Sequence, residues 1–356
     1  MFNFETNNQN NLNELKIKAI QLIENTNNLG ELKSVIFHLN TDKIKTLINK
    51  IISKKFLINT SDLSETITTS IISLANTMDS EIVIEFLEKC LYEGGVFDVH
   101  TLITNIDGIH HFPLKRTPYK PIIETLLNIN ISNGNAAIGR GEIGIAFMCS
   151  NAFKGYTDIS VESGTGMIPV EIKSTRNRND FFMTAGSDQS SYLDAVSLLI
   201  DGVNSVGGQY IKTNKVKDNG IAQLNAKTAS SLNVYFNRLG KAGTEQLLID
   251  VLNKNYNQVD NFIDAYEPKI RACVYNNGCL NYTKFTVVTS ELNFDYYKLM
   301  SQHHGVLMLN VSDLTFTYQT TGDKFSKLVE SNLITATSAI DFRTAGSGGL
   351  AFKMNL

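Results

Sequence analysis

A chain of 356 residues with 42% hydrophobic and 19% charged side chains has room for two domains and a sizeable core, which excludes a disordered protein. Its formal net charge of −3 gives no global attraction to nucleic acid, so any such contact must rest on a local basic patch. Met1 to Asn8 lacks the basic and apolar regions of a targeting signal, no apolar run reaches membrane-spanning length, and Cys90, Cys149, Cys273 and Cys279 form no Cys-x-x-Cys pair. The expectation is a soluble, cytoplasmic chain with no membrane partner.

Residues 12 to about 95 carry apolar side chains at three- and four-residue spacing and read as helices: Leu12 to Ile23, Leu29 to Lys54 with a break near Asn40-Thr41-Asp42, and Ser61 to Tyr92. Thr41 or Asp42 and Ser61 are the candidate caps. Glu93-Gly94-Gly95 closes this stretch, giving a helical N-terminal domain or arm over residues 1–104. Asn105 to Pro118 reads as an irregular link, and Pro121 to Leu127 as the first helix of a second domain, 105–356.

Asn135 to Phe153 reads as a buried helix, rich in Ala and Ile, with Gly139, Gly141 and Gly144 allowing close backbone approach. Glu142 falls in its middle. An ionised carboxylate there, without a partner, would cost several kcal/mol or neutralise itself by a raised pKa, so it needs a cation, a lysine or water beside it.

Tyr156 to Glu162 and Met167 to Ser174 alternate polar and apolar residues around Ser163-Gly164-Thr165-Gly166, the pattern of a hairpin. Pairing Glu162 with Met167 sets Val161 opposite Ile168, Ile159 opposite Val170 and Thr157 opposite Ile172, a nearly all β-branched face. The other face then sets Asp158 opposite Glu171. Like charges so placed are destabilising by up to about 1 kcal/mol, a conflict that a divalent cation would resolve. Lys173 shares the face of Glu171.

Glu142, then Asp158, then Glu171-Ile172-Lys173 resembles the PD-(D/E)xK, or restriction-endonuclease-like, nuclease superfamily. Thr157 stands where the name-giving motif has Pro, and Gln189-Ser-Ser-Tyr192 is one residue short of the Gln-x-x-x-Tyr helix of some exonuclease branches. The resemblance implies an α/β fold with a mixed central sheet flanked by helices. It implies Asp158 and Glu171 as Mg²⁺ ligands, Glu142 as a third ligand and Lys173 at the attacking water, with Mn²⁺ as a substitute. Hard carboxylate oxygens suit such a cation, which supplies the nucleophile and neutralises phosphate charge. Arg140, Arg176, Arg178 and Gln189 are the candidate nucleic-acid contacts.

Beyond Ser174 the sequence reads as mainly helical, including Tyr192 to Val203, Ala226 to Leu239 and Gly243 to Leu252. Tyr282 to Thr289, Phe294 to Gln302 and Gly305 to Val311 then read as strand, helix, strand, which makes residues 176–281 a helical insertion in the nuclease core. Cys273 and Cys279 flank a hairpin-like turn and read as buried or chance thiols. Asp107 to Pro113 opens like an HNH motif but lacks a third histidine before His303, and the pair His303-His304 closes a helix. Ala345 to Gly349 lacks the lysine and helix of a P-loop, and no aromatic and basic residues interleave into a stacking platform.

The expected function is a Mg²⁺-dependent endonuclease acting on double-stranded DNA in a bacterium or a phage-infected cell, with a homodimer or larger assembly as partner state. The alternative is a non-catalytic nucleic-acid-binding or virion-assembly protein that retains the fold.

Overall fold

The computed structural model describes residues 29–58, 61–104, 107–133, 136–155, 157–175, 180–183, 189–207, 213–214, 223–224, 232–337, 340 and 350–355. Three helices open it: α1 (Leu29–Lys55), α2 (Ser61–Ala75) and α3 (Ser80–Tyr92). Ile44, Ile48 and Ile51 recur at helical spacing and are buried, so the apolar stripe runs unbroken along the second half of α1. The expected break at residues 40–42 does not occur, and the Asn40 side chain donates to Ser80 Oγ at 2.8 Å rather than capping a new helix. A break falls instead inside the run 61–92, where Asp79 accepts the Glu81 N–H and caps α3.

Next in the chain come the short edge strand β1 (His110–His111), α4 (Lys120–Asn128), α5 (Glu142–Met148), β2 (Ala152–Phe153), β3 (Ile159–Ser163) and β4 (Gly166–Thr175). After them follow α6 (Gln189–Asn204), α7 (Asn233–Asn255, kinked at Gly240), α8 (Tyr282–Ser301), β5 (Gly305–Asn310), β6 (Thr315–Gln319) and α9 (Gly322–Glu330). The main sheet has the order β1-β6-β5-β4-β3-β2. Only β5 and β4 run parallel, with the chain between them supplying the crossover. A smaller sheet joins residues 334–336, 350–354 and 180–183, all antiparallel.

Side-chain alternation along the sheet separates two cores. Val170, Ile172, Leu307, Leu309, Phe316 and Tyr318 point to the side filled by α1 to α5, whereas Val306 and Met308 point to the side filled by α6 to α9 and the small sheet. The result is an α/β protein with a six-stranded mixed sheet flanked by helices. Among the described residues no helix is long and apolar enough to cross a membrane.

Two further element assignments change here. The segment 135–153 is not one helix: residues 136–138 pair with 131–133 as a hairpin, and α5 spans only Glu142 to Met148 before the chain turns extended. Gly141, at φ +86°, is the discontinuity that separates hairpin from helix. Tyr282 to Thr289 is the first half of α8 rather than a strand. Asn281 caps it by accepting the Lys284 N–H at 3.1 Å, and Phe285, Val288, Thr289, Leu292 and Tyr296 form its buried stripe. Burial of that stripe outweighs the β preference of a Thr- and Val-rich run.

Candidate metal and nuclease centre

The hairpin register forms as its alternation requires: Ile159 pairs with Val170, Val161 with Ile168 and Glu162 with Met167. The ladder runs on to Ser163 and Gly166, leaving a two-residue turn in which Ser163 Oγ donates to the Gly166 carbonyl at 2.7 Å. Thr157 and Asp158 lie just ahead of β3, so the ladder stops before them. Asp158 reaches β4 through its side chain instead: its Oδ2 accepts the Ile172 N–H at 2.8 Å. Burial and then the neighbouring Glu171 charge raise its carboxyl above the ordinary range.

Glu171 and Lys173 share the sheet face that looks toward α8. Glu171 is only 7% exposed, and its Oε1 takes Lys173 Nζ at 2.5 Å and the Tyr297 hydroxyl. Its Oε2 faces His303 Nε2 at 3.3 Å, a contact too poorly aligned to be a hydrogen bond. Burial alone would raise this carboxyl, but Lys173, Tyr297 and His303 together outweigh it and hold Glu171 below its ordinary value. Lys173 Nζ also lies 5.1 Å from the Tyr297 ring centre.

Glu142 is the first residue of α5. Its Oε1 accepts the Gly139 N–H at 2.6 Å, and its Oε2 lies 3.0 Å from Lys154 Nζ. Burial and then Asp158 push this carboxyl up to about 7, against the pull of Lys154. A Cβ on Gly141 would stand 3.1 Å from Ile172 Cγ2 and 3.2 Å from Leu309 Cδ2, so the glycine lets the start of α5 press onto β4 and β5. Lys154 is held from two sides. Its Nζ donates to the Thr157 carbonyl at 2.6 Å, and its backbone N–H donates to the carbonyl of Lys55, the last residue of α1, at 2.9 Å, while its carbonyl accepts the Leu57 N–H at 2.8 Å.

Of the other expected contacts, Arg140 immediately precedes this cluster and its buried Nε has no hydrogen-bond partner among the described residues. Arg176 and Arg178 lie outside the described residues, as does Ala345 to Gly349. Gln189 opens α6. His110 and His111 form the edge strand β1 rather than a loop, and the residues around Cys273 and Cys279 make the expected turn, with Val274 bridging Leu280. Sequence reasoning missed Lys154, Tyr297 and His303. Only the adjacency of His303 to the end of a helix was legible, and nothing local marks the other two as neighbours of carboxylates.

Among the described residues no three His, Cys, Asp or Glu side chains converge at metal-binding spacing, and lysines hold oxygens of Glu142 and Glu171. The donor chemistry nonetheless suits a hard divalent cation. Glu142 and Glu171 are buried and Asp158 half-buried, three carboxylates against the two ammonium groups of Lys154 and Lys173, an excess of negative charge among oxygen donors that such a cation would relieve. No protein-family model, no curated protein and no solved structure matches the chain, so this geometry carries the functional reading by itself.

Proposed function

We propose that the chain is a Mg²⁺-dependent deoxyribonuclease of the PD-(D/E)xK type, an endonuclease on double-stranded DNA, with Mn²⁺ able to replace Mg²⁺. The observation that carries this reading is that Asp158 Oδ2 accepts the Ile172 N–H, which sets the aspartate on β4 between Glu171 and Lys173, the lysine ion-paired with Glu171. The adjacent parallel strands β4 and β5 in a mixed, helix-flanked sheet support a restriction-endonuclease-like core. On this reading residues 1–104 form a helical N-terminal domain, whose α1 to α3 share one core with α4, α5 and the sheet, and 105–356 the nuclease domain, with the insertion 176–281 available for recognition or for contact between copies in a homodimer. The setting is the cytoplasm of a bacterium or of a phage-infected cell.

Asp158 and Glu171 would hold the cation and Glu142 would complete its shell, directly or through water. The cation supplies charge neutralisation at phosphate and a water acidified toward hydroxide. Lys173, more exposed than Glu171 at 27% against 9% of the side chain, orients that water or steadies the developing charge. Arg140, just ahead of the cluster and half-buried, is the candidate phosphate contact through its guanidinium.

One observation favours the alternative of a non-catalytic binding or assembly protein: Lys154 and Lys173 already neutralise two of the three carboxylates. A single experiment separates the two. Purified wild type and Lys173→Ala are incubated with linear, closed circular and single-stranded DNA in Mg²⁺, Mn²⁺ or EDTA. Metal-dependent cutting of closed circles that disappears in the variant supports the endonuclease. Intact DNA under every condition supports the assembly reading.

A further inference from the structure

Glu171 Oε1 accepts from two donors at once, Lys173 Nζ and the Tyr297 hydroxyl. If Lys173 is to serve the attacking water it must leave that oxygen, and the carboxylate needs another anchor when it does. Tyr297 is that anchor. Its hydroxyl comes from the last turns of α8, on a buried ring packed into the core on that side of the sheet. The opposite oxygen faces His303, two residues beyond the helix and just past Gln302, which turns left-handed at φ +56°. The next residue joins this corner to the sheet: the His304 N–H donates to the Pro169 carbonyl at 2.9 Å, and its Nδ1 lies 3.0 Å from the Tyr318 hydroxyl. The His303 ring is thus fixed by backbone rather than by bonds of its own, and both its nitrogens are buried with no hydrogen-bond partner among the described residues. A buried imidazole left unsatisfied 3.3 Å from a carboxylate oxygen is a donor that a small shift of that carboxylate would engage.

Resting on the nuclease reading above, we infer that Tyr297 and His303 are positioning residues that hold the Glu171 carboxylate for a divalent cation while Lys173 is free to move to the substrate. Groups that orient a ligating carboxylate set metal affinity, and their loss costs roughly 10- to 100-fold.

The test is the affinity for Mn²⁺ alone, by calorimetry without DNA and well below the melting temperature, for wild type, Tyr297→Phe, His303→Leu and His303→Gln. Tyr297→Phe keeps the ring and should weaken Mn²⁺ binding about 10-fold or more, His303→Leu should do likewise, and His303→Gln, which keeps a donor, should recover part of the loss. A purely structural role would lower the melting temperature and leave the Mn²⁺ affinity of the folded variants unchanged, which overturns the inference while the nuclease reading stands. Weakened binding in the variants of a wild type that cuts no DNA would uphold the inference and remove the nuclease. Absence of Mn²⁺ binding by wild type would remove the metal site and the inference with it.

Discussion

Lys154 Nζ stands 3.0 Å from Glu142 Oε2 with both side chains less than a tenth exposed, yet burial and Asp158 still push the Glu142 carboxyl up to about 7. The ion pair therefore offsets only part of what the surroundings cost. A carboxyl whose folded pKa lies above its ordinary value stabilises the fold fully below that ordinary value and loses the contribution as pH rises through 7. Asp158, also raised, acts in the same direction. Without metal, wild type should lose roughly 2 kcal/mol more stability between pH 5 and pH 8 than Glu142→Gln, which mimics the protonated form. Urea midpoints at the two pH values measure this, and parallel profiles for the two proteins would exclude it.

Removal of the lysine should show the same asymmetry from the other side. Lys154→Met leaves Glu142 without its ammonium, and breaking a buried pair typically costs about 3–5 kcal/mol. At pH 5 the carboxyl can take a proton instead, so the variant should recover much of that loss. A deficit of equal size at pH 5 and pH 8 would mean that the methylene packing of Lys154, and not its charge, holds the bend at Thr157.

The hairpin register was legible because period-two alternation and a Gly-rich turn agree, and a slip of one residue would turn Ile159, Val161 and Val170 out of the core. That agreement also made Asp158 and Glu171 visible as a pair. Glu142 was legible as a buried carboxylate but not as the start of a helix, since the left-handed Gly141 and the pairing of residues 136–138 with 131–133 are set by contacts outside the segment. Tyr297 and His303 reach Glu171 only through the crossover that brings β5 beside β4, and nothing in the residues flanking either one records that distance.

Lys173 should separate metal binding from chemistry. Because its ammonium sits on Glu171 Oε1, Lys173→Ala frees a carboxylate oxygen and should leave Mn²⁺ affinity unchanged or tighter, whereas DNA cleavage should fall by roughly 100-fold or more. Glu171→Gln and Asp158→Asn should lose Mn²⁺ binding and cleavage together. A Lys173→Ala protein that bound Mn²⁺ much more weakly than wild type would show the lysine to be a structural partner of Glu171 and not a group held for the substrate.

Gly141 carries the close approach on which Glu142 depends. Gly141→Ala would place a Cβ 3.1 Å from Ile172 Cγ2 and 3.2 Å from Leu309 Cδ2, on a backbone at φ +86° that an L side chain rarely adopts. The strain should cost about 1–3 kcal/mol, read as a lowered urea midpoint. Relief of the clash would lift the start of α5 away from β4, and the first side chain to move with it is Glu142, which Gly139 and Lys154 hold only at the ends of its two oxygens. Mn²⁺ affinity of the folded variant should therefore fall together with stability. Substitution at Gly164, in the open turn where an added Cβ meets nothing within 4 Å, supplies the control: Gly164→Ala should leave Mn²⁺ affinity at the wild-type value. Equal effects at the two glycines would show that the packing of α5 on the sheet does not set the position of Glu142.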